Sequence, residues 1–102
     1  DIVSLTDAST ISVNFNSGQN FDVRLGGNRN LGAPTNVQSG QTGSFFIRQD
    51  GTGSRTLSYN SAYKFVGGTA PTLTTGAGLT DRIDYIILSS NVIHCAVSLD
   101  VK

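Results

Sequence analysis

Apolar residues recur at every second position through most of this 102-residue chain, and that period decides which folds are open to it. Ile11, Val13 and Phe15 alternate with Ser12, Asn14 and Asn16, while Phe21, Val23 and Leu25 alternate with Asp22 and Arg24. Successive residues of a strand point to opposite faces, so the pattern reads as strands with one dry and one wet side. A helix would need apolar residues three and four apart, and no stretch offers that. Clusters of Gly, Asn, Ser and Thr break the alternation every few residues and supply the turns. The expectation is one all-β domain spanning residues 1–102. In detail it is a small antiparallel β-sandwich or jelly-roll-like fold, hairpin-rich, with no significant helix.

The densest pattern runs from Thr42 to Phe65. Phe45 and Ile47 alternate with Phe46 and Arg48, Asp50-Gly51-Thr52-Gly53 follows, and Leu57 and Tyr59 alternate with Thr56 and Ser58. This reads as a hairpin. A four-residue loop would set Arg48 across from Arg55, and like charges facing each other on a ladder are unfavourable. A three-residue loop, Gly51-Thr52-Gly53, pairs Arg48 with Thr56, Ile47 with Leu57 and Phe45 with Tyr59, and asks Gly53 to be left-handed. A second hairpin is expected at the C-terminus. A Ser89-Ser90-Asn91 loop there pairs Ile87 with Ile93, Tyr85 with Cys95 and Ile83 with Val97, with Asn91 left-handed. Ile2 to Leu5 and Tyr63 to Val66 read as short strands. The runs on either side of Ser17-Gly18-Gln19-Asn20 are expected to pair with each other, and Pro34 argues against a central ladder position for its segment.

Composition narrows the function classes. Seven basic and seven acidic residues leave no net charge, which disfavours nucleic acid as a partner. No apolar run nears the roughly 20 residues of a membrane helix, so membrane insertion is not expected. A single cysteine leaves no internal disulfide. Methionine is absent even from position 1, and the chain is read as the C-terminal or processed part of a longer one.

Groups for catalysis are sparse. His94 is the only histidine and sits beside Cys95, but neighbouring strand residues face opposite ways, so the two cannot form a thiolate–imidazole pair. Cys95 falls with Ile93 and Val97 on the dry side, as a small hydrophobe. One His and one Cys do not close a zinc site. All seven acids are aspartates and tryptophan is absent, which leaves little for a glycosidase, whose two carboxyls stand about 5–10 Å apart. Asp50-Gly51-Thr52-Gly53-Ser54 lacks the downstream bidentate Glu of a calcium loop, and no Lys follows its glycines to make a phosphate loop. Asp50, Gly51, Thr52, Gly53, Ser54 and Arg55 are therefore read as a structural turn, and the chain as non-enzymatic, with no cofactor and no metal. The weakly periodic stretch from Gly67 to Asp81 is long for a loop. It is either a surface loop packed by Leu73 and Leu79 or a subunit contact. In the second reading Ala70, Pro71, Leu73, Ala77 and Leu79, together with His94, are the oligomer-interface candidates.

The stretch from Gly40 to Leu88 resembles a module that recurs in virion surface proteins of tailed bacteriophages, at the C-terminal end of tail-fibre, tail-spike or head-fibre chains. The likeness is carried by Gly40-Gln41-x-Gly43, the turn from Arg48 to Arg55, Tyr63-Lys64-Phe65, the loop Ala70-Pro71-Thr72-Leu73-Thr74-Thr75-Gly76 and the apolar C-terminal strand pair. Gly27-Asn28-Arg29-Asn30-Leu31-x-x-Pro34 extends it upstream. The resemblance implies a non-enzymatic structural module on the phage particle surface, a homo-oligomer of trimeric type. Its implied partners are itself, other virion proteins and host cell-surface polysaccharide. A capsid decoration or head-fibre protein bound to the major capsid protein is the alternative, and a sugar-active enzyme domain the third reading.

Overall fold

The computed structural model describes residues 1–102, which form nine strands and no α-helix. In chain order these are β1 (Ile2–Ser4), β2 (Thr10–Asn14), β3 (Asn20–Leu25), β4 (Arg29–Thr35) and β5 (Thr42–Gln49). β6 (Leu57–Tyr59), β7 (Tyr63–Phe65), β8 (Thr80–Ser89) and β9 (Val92–Ser98) follow. A six-stranded sheet has the order β1-β3-β5-β8-β9-β7, and a three-stranded sheet has the order β2-β4-β6. The chain changes sheet after each of its first six strands. Strands that return to the same sheet arrive in the same direction, so β1, β3 and β5 are parallel, as are β2, β4 and β6.

The all-β expectation holds, but the antiparallel one does not: five of the seven strand pairs are parallel. The two runs flanking Ser17–Asn20 do not pair, because β2 lies in the small sheet and β3 in the large one. Phe15 lies at that crossing. It is 2% exposed just past β2, and its ring sits 5.7 Å from Phe21 and 5.2 Å from Tyr85 of the large sheet.

The expected central hairpin is also absent. β5 pairs with β3 on one side and β8 on the other, while β6 joins β4 in the other sheet. Arg48 therefore stands beside Arg24 and across from Thr80, not Thr56. Gly53 does take the left-handed conformation, at φ +75°, but Ser54 takes it too, at φ +58°. Two such residues in a row swing the chain out of the large sheet instead of folding it back along β5.

The C-terminal hairpin has the expected register: Ile87 with Ile93, Tyr85 with Cys95 and Ile83 with Val97. Its loop is shorter, with Ser89 paired to Val92 and a bulge between Ile87 and Ser89. The bulge takes up the extra residue, so Asn91 has no need of positive φ and does not adopt it. Pro34 lies in β4, the central strand of the small sheet, against expectation. The ladder tolerates it because β6 covers only Arg29–Leu31, and the β2–β4 register shifts beside Pro34.

Both sheets face one core of 16 buried residues. Ile11, Val13 and Leu31 enter it from the small sheet, and Phe21, Phe45, Ile83, Tyr85 and Ile93 from the large one. Phe21 and Phe45 are ladder neighbours and their rings stack at 5.3 Å. Fully burying such a side chain contributes roughly 1.5–3 kcal/mol of transfer free energy, so these stacked rings anchor the centre of the domain.

Candidate functional site

One face of the six-stranded sheet is filled by the core, which leaves its other face open to a ligand or partner. The even-numbered residues of β5, β8 and β9 point outward, and the ladders place them in rows. One row reads Ser4, Asp22, Phe46, Arg82, Ser98; the next reads Arg24, Arg48, Thr80. At the other end of the same face, Thr42, Ile86, His94 and Lys64 are neighbours. The face is thus charged at one end and apolar at the other.

The apolar end is built from Ile86, Leu88, Ala96 and Val66, which are all exposed, Val66 at 83% and Leu88 at 62%. His94 stands among them, exposed between Ile86 and Lys64. A hollow of about 250 Å³ opens at the β7–β9 edge next to this patch, lined by Phe65, Val66, Thr69, Pro71, Cys95, Ala96 and Val97. Cys95 is itself 4% exposed and belongs to the core. Burial pushes its thiol up to about 12, so the nucleophilic thiolate is strongly disfavoured in the folded protein. His94 and Cys95 lie on opposite faces of β9.

The Gly67–Asp81 stretch divides in two. Pro71 shares the hollow with Val66 near the apolar end, and Ala70 before it is half-buried. Leu73 is 7% exposed and belongs to the chain's own core, which removes it as a surface contact. Beyond it the loop folds onto the 50–55 turn. Ser54 N–H donates to the Thr75 carbonyl at 2.8 Å, Gly78 N–H to the Asp50 carbonyl at 3.1 Å, and Gln49 N–H to the Leu79 carbonyl at 3.0 Å. Ala77 is exposed and Leu79 half-buried on this segment.

Two buried polar side chains fasten that arrangement. The Gln49 amide accepts from Arg55 N–H and donates to the carbonyls of Arg55 and Thr74, each at 2.9 Å. The Asp81 carboxylate accepts from Thr74 N–H at 2.8 Å and Asp100 N–H at 2.7 Å. Within the turn, Asp50 accepts from the backbone N–H groups of Thr52 and Gly53 and pairs with Arg55 at 3.0 Å. The Arg55 guanidinium, helped by those N–H donors, holds the Asp50 carboxyl down to about 2. Asp50, Thr52, Gly53 and Arg55 are thus joined to one another, Gly51 stands in open space between them, and Ser54 is tied to Thr75 where the chain leaves the large sheet.

The charged end forms a polar hollow of about 450 Å³, lined by Ser4, Asp7, Asp22, Arg24, Arg48 and Asp50 among others. Asp7 and Asp50 are already engaged there. Asp7 pairs with Arg29 at 2.8 Å and accepts from Gly26 N–H, and the Arg29 contact lowers its pKa. Arg24 and Arg48, adjacent on parallel strands, form no ion pair with the protein's own acids. A second hollow of about 220 Å³ adjoins, where Asp22 and Arg48 recur beside Ile2, Phe46 and Thr80. Apart from Asp50, no residue of these hollows stands out as a site residue in the sequence, since four strands far apart in the chain bring them together. One signal was present: Phe46 is an aromatic on the wet side of an alternating strand.

Comparison with protein-family models, with curated proteins and with solved structures found no match.

Proposed function

We propose that this chain is a non-enzymatic structural module of a tailed-bacteriophage virion, a homotrimeric domain of tail-fibre type displayed on the particle surface and able to touch host polysaccharide. In this reading its two layers are a small β-sandwich through which the chain winds. The observation that carries the assembly is the apolar end of the outer face, where exposed Ile86 and Val66 stand beside His94 and exposed Leu88 follows Ile86 on the same face of β8. Exposed apolar side chains gathered on one sheet face favour burial against a partner. The same end adjoins the free edge strand β7, and sheet edges are ordinarily covered or blunted. The resemblance between Gly40 and Leu88 supplies the virion setting, and the inert, buried thiol of Cys95 agrees with a structural role.

Sedimentation at tens of micromolar tests the assembly. A trimeric mass is expected for the natural sequence, and Ile86→Asp with Leu88→Asp should release monomers, because each places a charge in the contact. A monomeric mass for the natural sequence would sink the oligomer reading. Labelled antibodies on purified particles test the location. Tail labelling supports the fibre, head labelling would shift the reading to capsid decoration, and unlabelled particles would end the virion assignment.

A further inference from the structure

We infer that the charged end of the outer face is a binding site for a carboxylate-bearing sugar. The inference deepens the host-polysaccharide part of the proposal above and rests on it for its biological setting only. Adjacent strands lie about 4.8 Å apart, so the ladder pairing of Arg24 with Arg48 places two guanidinium stems side by side. Like charges at that spacing oppose each other, and both side chains are exposed with no ion pair inside the protein. Asp7 and Asp50 line the same hollow but are neutralised by Arg29 and Arg55. Asp22 is the one further acid there, so the two arginines outweigh it. An anion between them relieves the repulsion, and a planar carboxylate matches the two-pronged donor geometry of guanidinium.

The surroundings distinguish a sugar from a bare anion. Phe46 is half-buried between Asp22 and Arg82 in its row, and with Ile2 it lines the hollow that continues from the arginines. An aromatic ring beside an aliphatic chain offers a platform for the apolar face of a pyranose ring. Asp22, Ser4 and Thr80 supply acceptors and hydroxyls for the ring's hydroxyl groups. The arginine hollow, about 450 Å³, falls in the size range of small-molecule sites, and the smaller hollow beside it is walled by Ile2, Val23 and Phe46.

The test is binding of acidic oligosaccharides containing glucuronate, galacturonate or sialate, each compared with its carboxyl-reduced form, by calorimetry or saturation-transfer NMR. At least one acidic form should bind, tenfold or more tighter than its reduced counterpart, and more weakly as salt rises. Arg24→Ala and Arg48→Ala should each weaken it tenfold or more, and Phe46→Ala should remove the ring contacts. Lys64→Ala, which removes the same charge at the far end of the sheet, should leave it unchanged. Equal affinity for acidic and reduced forms, no binding to any of the sugars, or inorganic phosphate binding as tightly as the best sugar would each overturn the inference. Sedimentation of the same samples reports the assembly separately, so a failed trimer and a failed sugar site are told apart.

Discussion

The winding half of the molecule, β1 to β6, and the hairpin half, β8 and β9, are built by opposite rules. In the hairpin, partners are close in sequence, and the register Ile87–Ile93, Tyr85–Cys95, Ile83–Val97 follows from where the apolar residues fall. In the winding half, a strand meets its neighbour only after a visit to the other sheet. Phe21 finds Phe45 and Ile11 finds Leu31, 24 and 20 positions on. Both halves obey the same alternation. Only the hairpin lets that alternation name a partner. The difference teaches that period two reports which way a side chain faces and is silent about which strand lies beside it.

The sharpest way to break the comparison is at Phe45, whose strand pairs with both halves. Its strand is parallel to β3 and antiparallel to β8, and its ring lies within 6.3 Å of those of Phe15, Phe21, Tyr63 and Tyr85. Phe45→Ala should cost about 3–5 kcal/mol in chemical denaturation. If the halves share one core, amide protection should fall together in β3 and β9. Protection surviving in the hairpin alone would show two independent units.

Next comes the polar fastening between the β5 exit and the loop that leads into β8. Asp81→Ala leaves two backbone N–H groups without their acceptor at a site 2% exposed. Gln49→Ala removes three hydrogen bonds at a site 3% exposed. Each should destabilise by about 2–3 kcal/mol in denaturant titrations, because a buried polar group left unpaired costs more than a hydrogen bond contributes. A loss under 0.5 kcal/mol would mean the loop is held by other contacts.

Two glycines in one turn sharpen the contrast further. Gly53 has φ +75°, and a Cβ there would lie 2.6 Å from the Thr75 carbonyl oxygen; Gly51 has open space around it. Gly53→Ala should destabilise by about 1–3 kcal/mol, while Gly51→Ala should be neutral to within about 0.5 kcal/mol. Equal effects would argue against the exit geometry.

The smallest effect is acid sensitivity in the winding half. The Asp50 carboxyl lies at about 2 in the folded chain against about 3.9 unfolded. Its folded value is depressed, so its contribution is full above about pH 5 and is lost as pH falls through about 2. Asp50→Asn should flatten the stability profile over that window in acid titrations. An unchanged profile would show that the Asp50–Arg55 pair carries no net stability.

Much of the core was legible in the sequence. Ile11, Val13, Phe15, Phe21, Val23, Leu25, Phe45, Ile47 and Cys95 all lie buried where alternation placed them. The misreadings came from turns. Asp50 to Ser54 has the residues of a hairpin loop, and the left-handed Gly53 is real. Yet the adjacent left-handed Ser54 and the Gln49 side chain, which bonds the backbone of Arg55, send the chain elsewhere. Such choices depend on loop 74–79, more than 20 residues downstream, and no local pattern encodes them. The charged hollow was hidden for the same reason, since Ser4, Asp22, Arg48 and Thr80 become neighbours only when the ladders form.

The place of β5 at the middle of the large sheet has a consequence in time. One of its edges is satisfied by β3, which precedes it, and the other only by β8, whose last residue lies about 40 positions beyond Gln49. At ribosomal rates of about 5–20 residues per second, that edge stays open for roughly 2–8 s on every newly made chain. Throughout the interval Phe45 and Ile47 sit on a strand with unpaired N–H and C=O groups, in a crowd of identical strands. An open edge of that kind recruits its own kind. Yield during synthesis should therefore depend on crowding and temperature more steeply than the stability of the finished fold does.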